Sequence, residues 1–500
     1  MSNIFDTVKM AKPNRNTFDL SHDVKLSCNM GKLIPTMITE AIPGDKFNIG
    51  CDSLIRFAPL VSPMMHRVDV TMHYFFVPNR LLWENWENFI TNTEPIPGSG
   101  ILPVPPFIGA NATSYTRLMD YMGIPTPIGG NTEDINALPF AAYNKIYDEY
   151  YRDQNLSPTT FTPLIDGFNA GYDVALKNRA WEHDYFTSAL PFAQKGNAVS
   201  IPLGNVVLDP TLGQFPLLRD VNTHSPAASG PLNSVGGFIT VGLNSNVYDP
   251  NGTLDVAPTT INDLRRAFKL QEWLEKAARG GSRYIESILA HFGVKSSDSR
   301  LQRPEYITGV KSPVIVSEVQ NNADNGSMPL GQLGGHGVSV QQGTMGGYYC
   351  EEHGFIMGIM SIMPKTAYQQ GLNKLWLKTT SPFEYYFPSF ANIGEQEIKN
   401  KELYAFQGIT GDDTFGYIPR YAEYKYENNR VAGDFRTTLN YWTMSRIFAT
   451  PPLLNDTFIK SDPTFRVWAV TNPLEDHLYC HILHKVTASR LMPKFGTPQF

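Results

Sequence analysis

Residues 67–77 read Arg-Val-Asp-Val-Thr-Met-His-Tyr-Phe-Phe-Val. The even-numbered residues from 68 to 76 are apolar, and the odd-numbered residues from 67 to 73 are polar or charged. A period of two places one face of a β-strand in a core and the other toward solvent or a second layer. A second alternation follows near the other end, where Leu478, Cys480, Ile482 and Val486 lie among polar residues. These two stretches predict a mainly β protein.

The rest of the chain predicts the other strands of a sandwich and a few helices. Further strands are predicted at residues 32–39, 47–57, 307–319, 337–342, 353–363 and 465–470. Helices are predicted over 81–91, over 139–153 and over 260–279, where Thr260 and Asp263 have the spacing of a capping box. Long connections between short strands favour an antiparallel sandwich that carries its function in loops, and not a nucleotide-binding α/β enzyme.

The predicted organisation is a single β domain preceded by an arm. Residues 1–30 are expected to form an extended N-terminal arm, and residues 31–500 the sandwich. Two insertions are predicted. The first, at about 79–198, contains many prolines, and the second, at 205–258, is rich in Asn, Gly, Pro, Ser and Thr. Long connections of this kind inside a compact domain are usually functional.

The composition is rich in aromatic residues and poor in charge. The chain has 29 Phe, 24 Tyr and 7 Trp, and only 18% of its residues are charged. Protein interfaces are enriched in aromatic residues and depleted in Lys, Glu and Asp, so this balance favours a subunit that buries much of its surface against neighbours. A net charge of −6 argues against a dedicated nucleic-acid binder but leaves room for a local basic face.

The cysteines and the apolar stretches restrict the chemistry further. Buried free thiols are predicted, and not a disulfide framework, because no paired spacing links Cys28, Cys51, Cys350 and Cys480. Residues 1–16 lack the apolar centre of a signal peptide. The longest apolar stretch, 355–363, is too short to span a bilayer, so we expect no membrane association.

Several short patterns contain residues that could act in catalysis or bind a metal, but none of them is specific enough to predict a site. The spacing of His477, His481 and His484 would converge on a helix and could bind zinc, but the alternation around them predicts a strand. Residues 182–184, Glu-His-Asp, could supply acid and base groups, but nothing nearby predicts that their pKa values differ as such catalysis requires. No catalytic residue, cofactor or metal site is predicted.

One charge pattern points to a partner. Residues 265–311 contain ten Lys or Arg against five Asp or Glu, and no acidic residue follows Asp476. Basic residues interleaved with aromatic ones suit single-stranded nucleic acid, through phosphate neutralisation and base stacking. Salt bridges between subunits are the alternative explanation of the same charges. The candidate DNA-facing residues are Arg279, Arg283, Lys485, Arg490 and Lys494.

Ten stretches, in order over nearly the whole chain, resemble the major capsid proteins of microviruses, which are small tailless phages with single-stranded DNA genomes. The gokushovirus-like branch is the most similar. The stretches are Phe18–Ser21, Pro43–Asp45, His73–Trp83, Leu138–Asn144, Asp184–Ala189, His291–Val294, Arg300–Tyr306, Cys350–Gly354, Gly394–Gln396 and Phe415–Tyr421.

The resemblance implies a fold, an assembly and a set of partners. The fold would be a single eight-stranded antiparallel jelly-roll sandwich with large inter-strand insertions containing short helices. Copies would form pentamers that close into a T=1 icosahedral shell around circular single-stranded DNA, in a virion made in the bacterial host cytoplasm. The implied partners are an internal scaffolding protein, a small DNA-binding protein, a minor pilot protein and a host surface receptor.

The insertion at 205–258 corresponds to a threefold protrusion in that branch, which would meet the host. Its apolar centre is bounded by glycine and supplies the candidate contact residues Phe238, Ile239, Val241 and Leu243.

The rival class is a jelly-roll carbohydrate-binding protein or glycosidase, because that architecture also serves lectins and cupins. Such a protein would need paired carboxylates or three metal ligands in a cleft. A nucleic-acid-binding regulator is a third class, which the net charge of −6 supports poorly.

Overall fold

A computed structural model describes residues 13–200, 260–320, 333–343, 346–406 and 409–495, together with the backbone of four short strands between residues 206 and 256. The chain divides into two compact units. The larger unit comprises residues 1–193 and 281–500, and the smaller unit comprises residues 194–280.

The described elements are numbered in chain order. The strands are β1 (Asn16–Asp19), β2 (His22–Cys28), β3 (Ile34–Ala41), β4 (Lys46–Phe57), β5 (Val68–Pro78), β6 (Phe107–Ala110), β7 (Glu133–Asn136), β8 (Val206–Leu208), β9 (Leu217–Asp220), β10 (Ser245–Tyr248), β11 (Leu254–Val256), β12 (Glu305–Pro313), β13 (Ile315–Gln320), β14 (Leu333–Gln342), β15 (Gly346–Tyr349), β16 (Gly354–Pro364), β17 (Glu395–Lys399), β18 (Thr414–Pro419) and β19 (Leu478–Arg490). The helices are α1 (Trp86–Ile90), α2 (Arg117–Tyr121), α3 (Leu138–Ile146), α4 (Ile261–Arg279), α5 (Tyr284–Phe292) and α6 (Asp456–Ile459).

The larger sheet of the sandwich is antiparallel and has the order β1–β19–β4–β14–β13, with β2 also paired to β19 and β15 to β4. β19 therefore lies between the N-terminal strands and β4. Residues 16–28 pair with β19, so this part of the predicted 1–30 arm is built into the sheet. The partner strand lies at least 450 positions away along the chain, and local sequence carries no signal for such a pairing.

The smaller sheet is also antiparallel and has the order β12–β5–β16–β3. β5 confirms the strand predicted at 67–77, and it is hydrogen-bonded on both edges, to β12 and to β16. Its residues are buried on both faces of the sheet apart from the half-buried His73. The face opposite the core is therefore covered by a second layer and does not contact solvent.

The main core lies between the two sheets. It contains inward side chains of β4, β5 and β19, such as Phe47, Met72 and Ile482, in one continuous cluster. Two antiparallel sheets joined in this way form a β sandwich. The predicted buried thiols are confirmed, because all four cysteines are free and buried. Burying a large side chain such as Phe47, Met72 or Ile482 stabilises the fold by about 1.5–3 kcal/mol relative to exposure.

The first predicted insertion forms the layer that covers the outer face of the smaller sheet. Phe75 of β5 and Met357 of β16 point away from the main core and contact a second cluster that includes Trp83, Phe140 and Tyr143. The helix predicted at 139–153 is confirmed as α3, which continues as one π-helical turn to Tyr151. The insertion is thus a packed layer of the fold.

A third cluster organises the segment between β16 and β19. Ile398 of β17, Phe415 of β18 and Phe458 of α6 pack together there. The strand predicted at 465–470 is wrong, because these residues form turns. Val467 and Trp468 are nevertheless buried in the main core, and Trp468 makes an isolated antiparallel bridge to Leu60, so their apolar character reflects packing more than strand pairing.

The smaller unit contains the predicted insertion at 205–258 and the helix that follows it. The predicted cap of α4 is confirmed, since the Thr260 hydroxyl accepts a hydrogen bond from the Asp263 amide at 3.2 Å. Two antiparallel pairs, β8 with β11 and β9 with β10, are described by backbone alone. The candidate protrusion residues lie outside the described residues: Phe238, Ile239, Val241 and Leu243.

Candidate interaction surfaces

Arg490 was predicted to face DNA, and the structure places it in an internal ion pair. Its Nε lies 3.0 Å from Oδ2 of Asp45, which is completely buried, and only 17% of the Arg490 side chain is exposed. A second nitrogen of the guanidinium donates to the Glu40 carbonyl at 2.6 Å. The charge of Arg490 is therefore compensated within the subunit.

Arg283 is also held by its own chain. It precedes α5, and its guanidinium pairs with Glu286 at 3.0 Å. The same group donates to the carbonyls of Arg152 at 2.8 Å and Asp148 at 3.2 Å, and 16% of the side chain is exposed. Arg283 thus ties the start of α5 to the end of the α3 helix.

The other candidate DNA-facing residues are more accessible. Lys485 lies on the outer face of the larger sheet with 41% of its side chain exposed, and its Nζ is 2.5 Å from Oδ2 of Asp52. Lys494 is exposed beyond the end of β19, where its Nζ lies 6.0 Å from the centre of the Phe495 ring. Arg279 is exposed in the last turn of α4, in the smaller unit.

The three histidines near the C-terminal end do not form a shared site. His477 is buried, with its ring nitrogens 2.9 Å from Oδ1 of Asn29 and 2.7 Å from the Val470 carbonyl. His481 is exposed and its Nε2 lies 2.9 Å from Oδ1 of Asp23. His484 is buried between the sheets, and burial lowers its pKa to about 4. Within the described ranges, no group of three His, Cys, Asp or Glu side chains is arranged to hold a metal ion.

The two carboxylates of residues 182–184 are held by contacts within the subunit. Glu182 binds Lys311 and Lys365, and although burial opposes its ionisation, the hydrogen bonds from these two lysines lower its pKa to about 2. Asp184 is buried and accepts hydrogen bonds from the amides of Phe186 and Thr187. Both carboxylates therefore make contacts within the subunit.

An exposed aromatic segment, residues 375–393, follows the smaller sheet. It is built from short 3₁₀ turns at Lys374–Leu377, Pro382–Glu384 and Pro388–Phe390. Its exposed large side chains are Leu375, Trp376, Phe383, Tyr385, Tyr386, Phe387 and Ile393. Such a concentration of exposed aromatic and apolar side chains is typical of a surface that contacts another molecule.

The outer face of the larger sheet is a second accessible surface, of which the sequence singled out only Lys485. Tyr479 and His481 alternate outward from β19, as the predicted strand pattern already implied. Arg56 of β4 lies beside Tyr479, and Lys25 of β2 lies beside His481. These four residues become neighbours only through strand pairing. We call this group, together with Leu54 opposite His481, the outer-face cluster.

None of the helices among the described residues combines the length and the apolar character needed to cross a lipid bilayer.

A β sandwich with an exposed aromatic segment is typical of a structural subunit that contacts other molecules. Comparison with known proteins agrees. The model of the capsid protein (F protein) family matches residues 6–500. The chain belongs to that family, and it is therefore a bacteriophage capsid protein, as the resemblance in its sequence predicted.

Three relatives cover almost all of the chain. Capsid protein VP1 of Bdellovibrio phage phiMH2K is 37% identical over 99% of this chain and 97% of the relative. Capsid protein VP1 of Chlamydia phage 1 is 35% identical over 100% of this chain and 98% of the relative. Capsid protein VP1 of Spiroplasma virus 4 is 28% identical over 97% and 95%, respectively. Membership of this family implies self-assembly into a shell and a place in the virion.

Proposed function

We propose that this capsid protein assembles through pentamers into a T=1 icosahedral shell that encloses circular single-stranded DNA, and that it has no catalytic role. The observation that carries the proposal is the family match over residues 6–500, found together with a β sandwich built from both ends of the chain. A shell subunit needs a rigid frame and large contact surfaces, and obligate interfaces of this kind bury about 2,000–5,000 Å².

The finer fold that we propose is the eight-stranded jelly roll. If β2, β3, β4, β5, β12, β14, β16 and β19 are counted as strands 1 to 8, the order of the larger sheet is 1-8-3-6 and that of the smaller sheet is 2-7-4-5. Strands that alternate between two sheets in this order are what two Greek keys of a jelly roll produce. β1, β13 and β15 would then be additions at the edges and ends of the larger sheet.

The aromatic segment is the surface that we assign to contacts between copies of this chain. Trp376 has 69% of its surface exposed and Phe383 has 57%. A monomer gains nothing from exposing rings of this size, whereas aromatic side chains dominate the fully buried centres of interfaces. Since the family assembles into shells, a second copy is the partner that best accounts for this exposure.

The remaining partners are proposed from the family relationship. They are an internal scaffolding protein, a small DNA-binding protein, a minor pilot protein and a host surface receptor, and synthesis would take place in the bacterial host cytoplasm. The receptor contact would use the insertion at 205–258, with Phe238, Ile239, Val241 and Leu243 at its apolar centre. Of the candidate DNA-facing residues, the exposed Lys494 and Arg279 best suit phosphate contacts.

The proposal is tested by the solution mass of the purified protein, measured by size-exclusion chromatography with light scattering and followed by electron microscopy. Pentamers, or shells formed after the scaffolding protein is added, are expected. A protein that stays monomeric with the scaffolding protein present, and that a polysaccharide column retains, would overturn the proposal in favour of a carbohydrate-binding protein.

A further inference from the structure

We propose that the outer-face cluster is a binding site for single-stranded nucleic acid, in which Tyr479 stacks on a base while Lys25 and Arg56 contact phosphates. This inference rests on the proposed function, because it makes the outer face of the larger sheet the surface that meets the genome. It assigns this role to residues other than the basic ones that the sequence singled out.

The strand pairing sets the arrangement of the cluster. Across β2, β19 and β4, Ser27, Tyr479 and Arg56 form one row. Lys25, His481 and Leu54 form the next row. Two residues along a strand span about 6.6 Å, and neighbouring strands are about 4.8 Å apart. The cations therefore flank the central tyrosine on both neighbouring strands, within the reach of a single nucleotide and its phosphates.

The surface between these side chains is shallow and open to solvent. The two rows line a shallow groove of about 500 Å³. Tyr479 is 51% exposed, and Lys25 and Arg56 are both exposed. A half-exposed tyrosine in the middle of a rigid strand offers a ring face for stacking at low cost in conformational entropy.

The charges of this face favour a polyanion. Of its acidic residues, Asp52 is paired with Lys485 at 2.5 Å, whereas Asp23 lies 2.9 Å from Nε2 of His481, a ring that carries a charge only when it is protonated. Asp476, which binds Ser27 at the edge of the cluster, is paired with Arg117. Within the described part of the chain, the side chains of Lys25 and Arg56 have no acidic partner. These two cations outnumber Asp23 and leave a local positive surface in a protein of net charge −6.

Stacking and phosphate neutralisation together are the means by which proteins bind single strands without sequence preference. Leu54, opposite His481, and Val340, opposite Leu54 and 70% exposed, add an apolar border that suits bases and sugars. A duplex keeps its bases stacked internally and cannot use the tyrosine. The site should therefore prefer single-stranded over double-stranded DNA.

The test measures binding of a short fluorescein-labelled oligo(dT) to the full-length protein by anisotropy, over a series of salt concentrations. Tyr479→Ala should weaken binding about tenfold, as expected for one lost stacking contact. Tyr479→Trp should restore binding, which a merely structural role of the side chain would not predict. The double variant Lys25→Gln/Arg56→Gln should reduce the slope of log K against log salt by about 1.4. The control Lys401→Gln/Lys425→Gln removes two cations outside the larger sheet and should leave both quantities unchanged.

The inference is overturned if wild-type protein does not bind oligo(dT), or if the outer-face variants bind it as the wild type does. It is also overturned if these variants lose pentamers while their DNA affinity is unchanged, since the face would then be a subunit contact. Shells formed by variants with unaltered DNA affinity would refute this site and leave the coat function intact. Failure of every form of the protein to assemble would instead count against the proposed function.

Discussion

The hydroxyl of Tyr74 and Nδ1 of His484 lie 2.8 Å apart in the centre of the sandwich, within hydrogen-bonding distance. Tyr74 belongs to β5 of the smaller sheet and His484 to β19 of the larger sheet. Both side chains are buried. This contact joins the two sheets through polar groups inside the main core, so its protonation state affects the stability of the whole sandwich.

The pKa of His484 predicts how stability depends on pH. Burial lowers that pKa to about 4, against an ordinary value of 6.5. As the pH falls below 6.5, the unfolded chain binds a proton that the folded chain resists, so the free energy of unfolding decreases. The contribution of His484 to this decrease should reach about 3 kcal/mol near pH 4 and then level off. Urea unfolding at a series of pH values measures it.

His484→Gln removes this titration and should flatten the acid side of the stability profile. Burial also lowers the pKa of His73 to about 4. His73 should therefore still contribute a pH dependence of similar size to the free energy of unfolding of this variant. An unaltered profile in the His484 variant would contradict the assignment.

Arg490 should prove essential to the fold and not to DNA content. Arg490→Gln leaves the carboxylate of Asp45 buried without its cation, which should destabilise the subunit by about 3 kcal/mol. Lys494→Gln is the matched control, because Lys494 is exposed and a surface change of this kind usually shifts stability by less than about 0.5 kcal/mol. Urea midpoints of the two variants make the comparison. Equal stability of both variants would show that the Arg490 ion pair contributes little.

Trp376→Ser should leave the isolated subunit as stable as the wild type but impair its assembly. The ring is 69% exposed, so little core packing is lost, whereas a buried interface anchor is often worth 2 kcal/mol or more. Sedimentation of assembly mixtures gives the yield of shells. Leu474→Ser is the control, because Leu474 is 91% exposed and lies outside the aromatic segment. Equal losses in the two variants would argue against a specific role of Trp376.

Deletion of residues 238–243 should spare pentamers and reduce infectivity, if this stretch contacts the host. The residues are apolar and bounded by glycine in the sequence. Plaque assays on particles of matched DNA content would measure the effect. Loss of all soluble protein would mark the stretch as part of a core.

The sequence predicted those features that depend on nearby residues. The alternation around Met72 identified β5, and the Thr260 cap identified the start of α4. Features that depend on distant partners could not be predicted in this way. The sequence of residues 16–28 alone predicts an extended arm, and only the pairing with β19 shows that these residues belong to the sheet. Arg490 is only a positive charge in the sequence, because the buried Asp45 that binds it lies far away along the chain.

The position of β19 also decides when the subunit can fold. β19 is the last described strand to be synthesised, yet it lies between β2 and β4 in the larger sheet. A ribosome adds roughly 5–20 residues per second, so β2 and β4 wait tens of seconds for their shared neighbour. During that interval the nascent chain exposes unpaired strand edges, which are sites of aggregation. A prematurely terminated chain never closes its sandwich. Only chains that have been translated through β19 can therefore fold and join a shell, so incomplete chains are excluded from assembly.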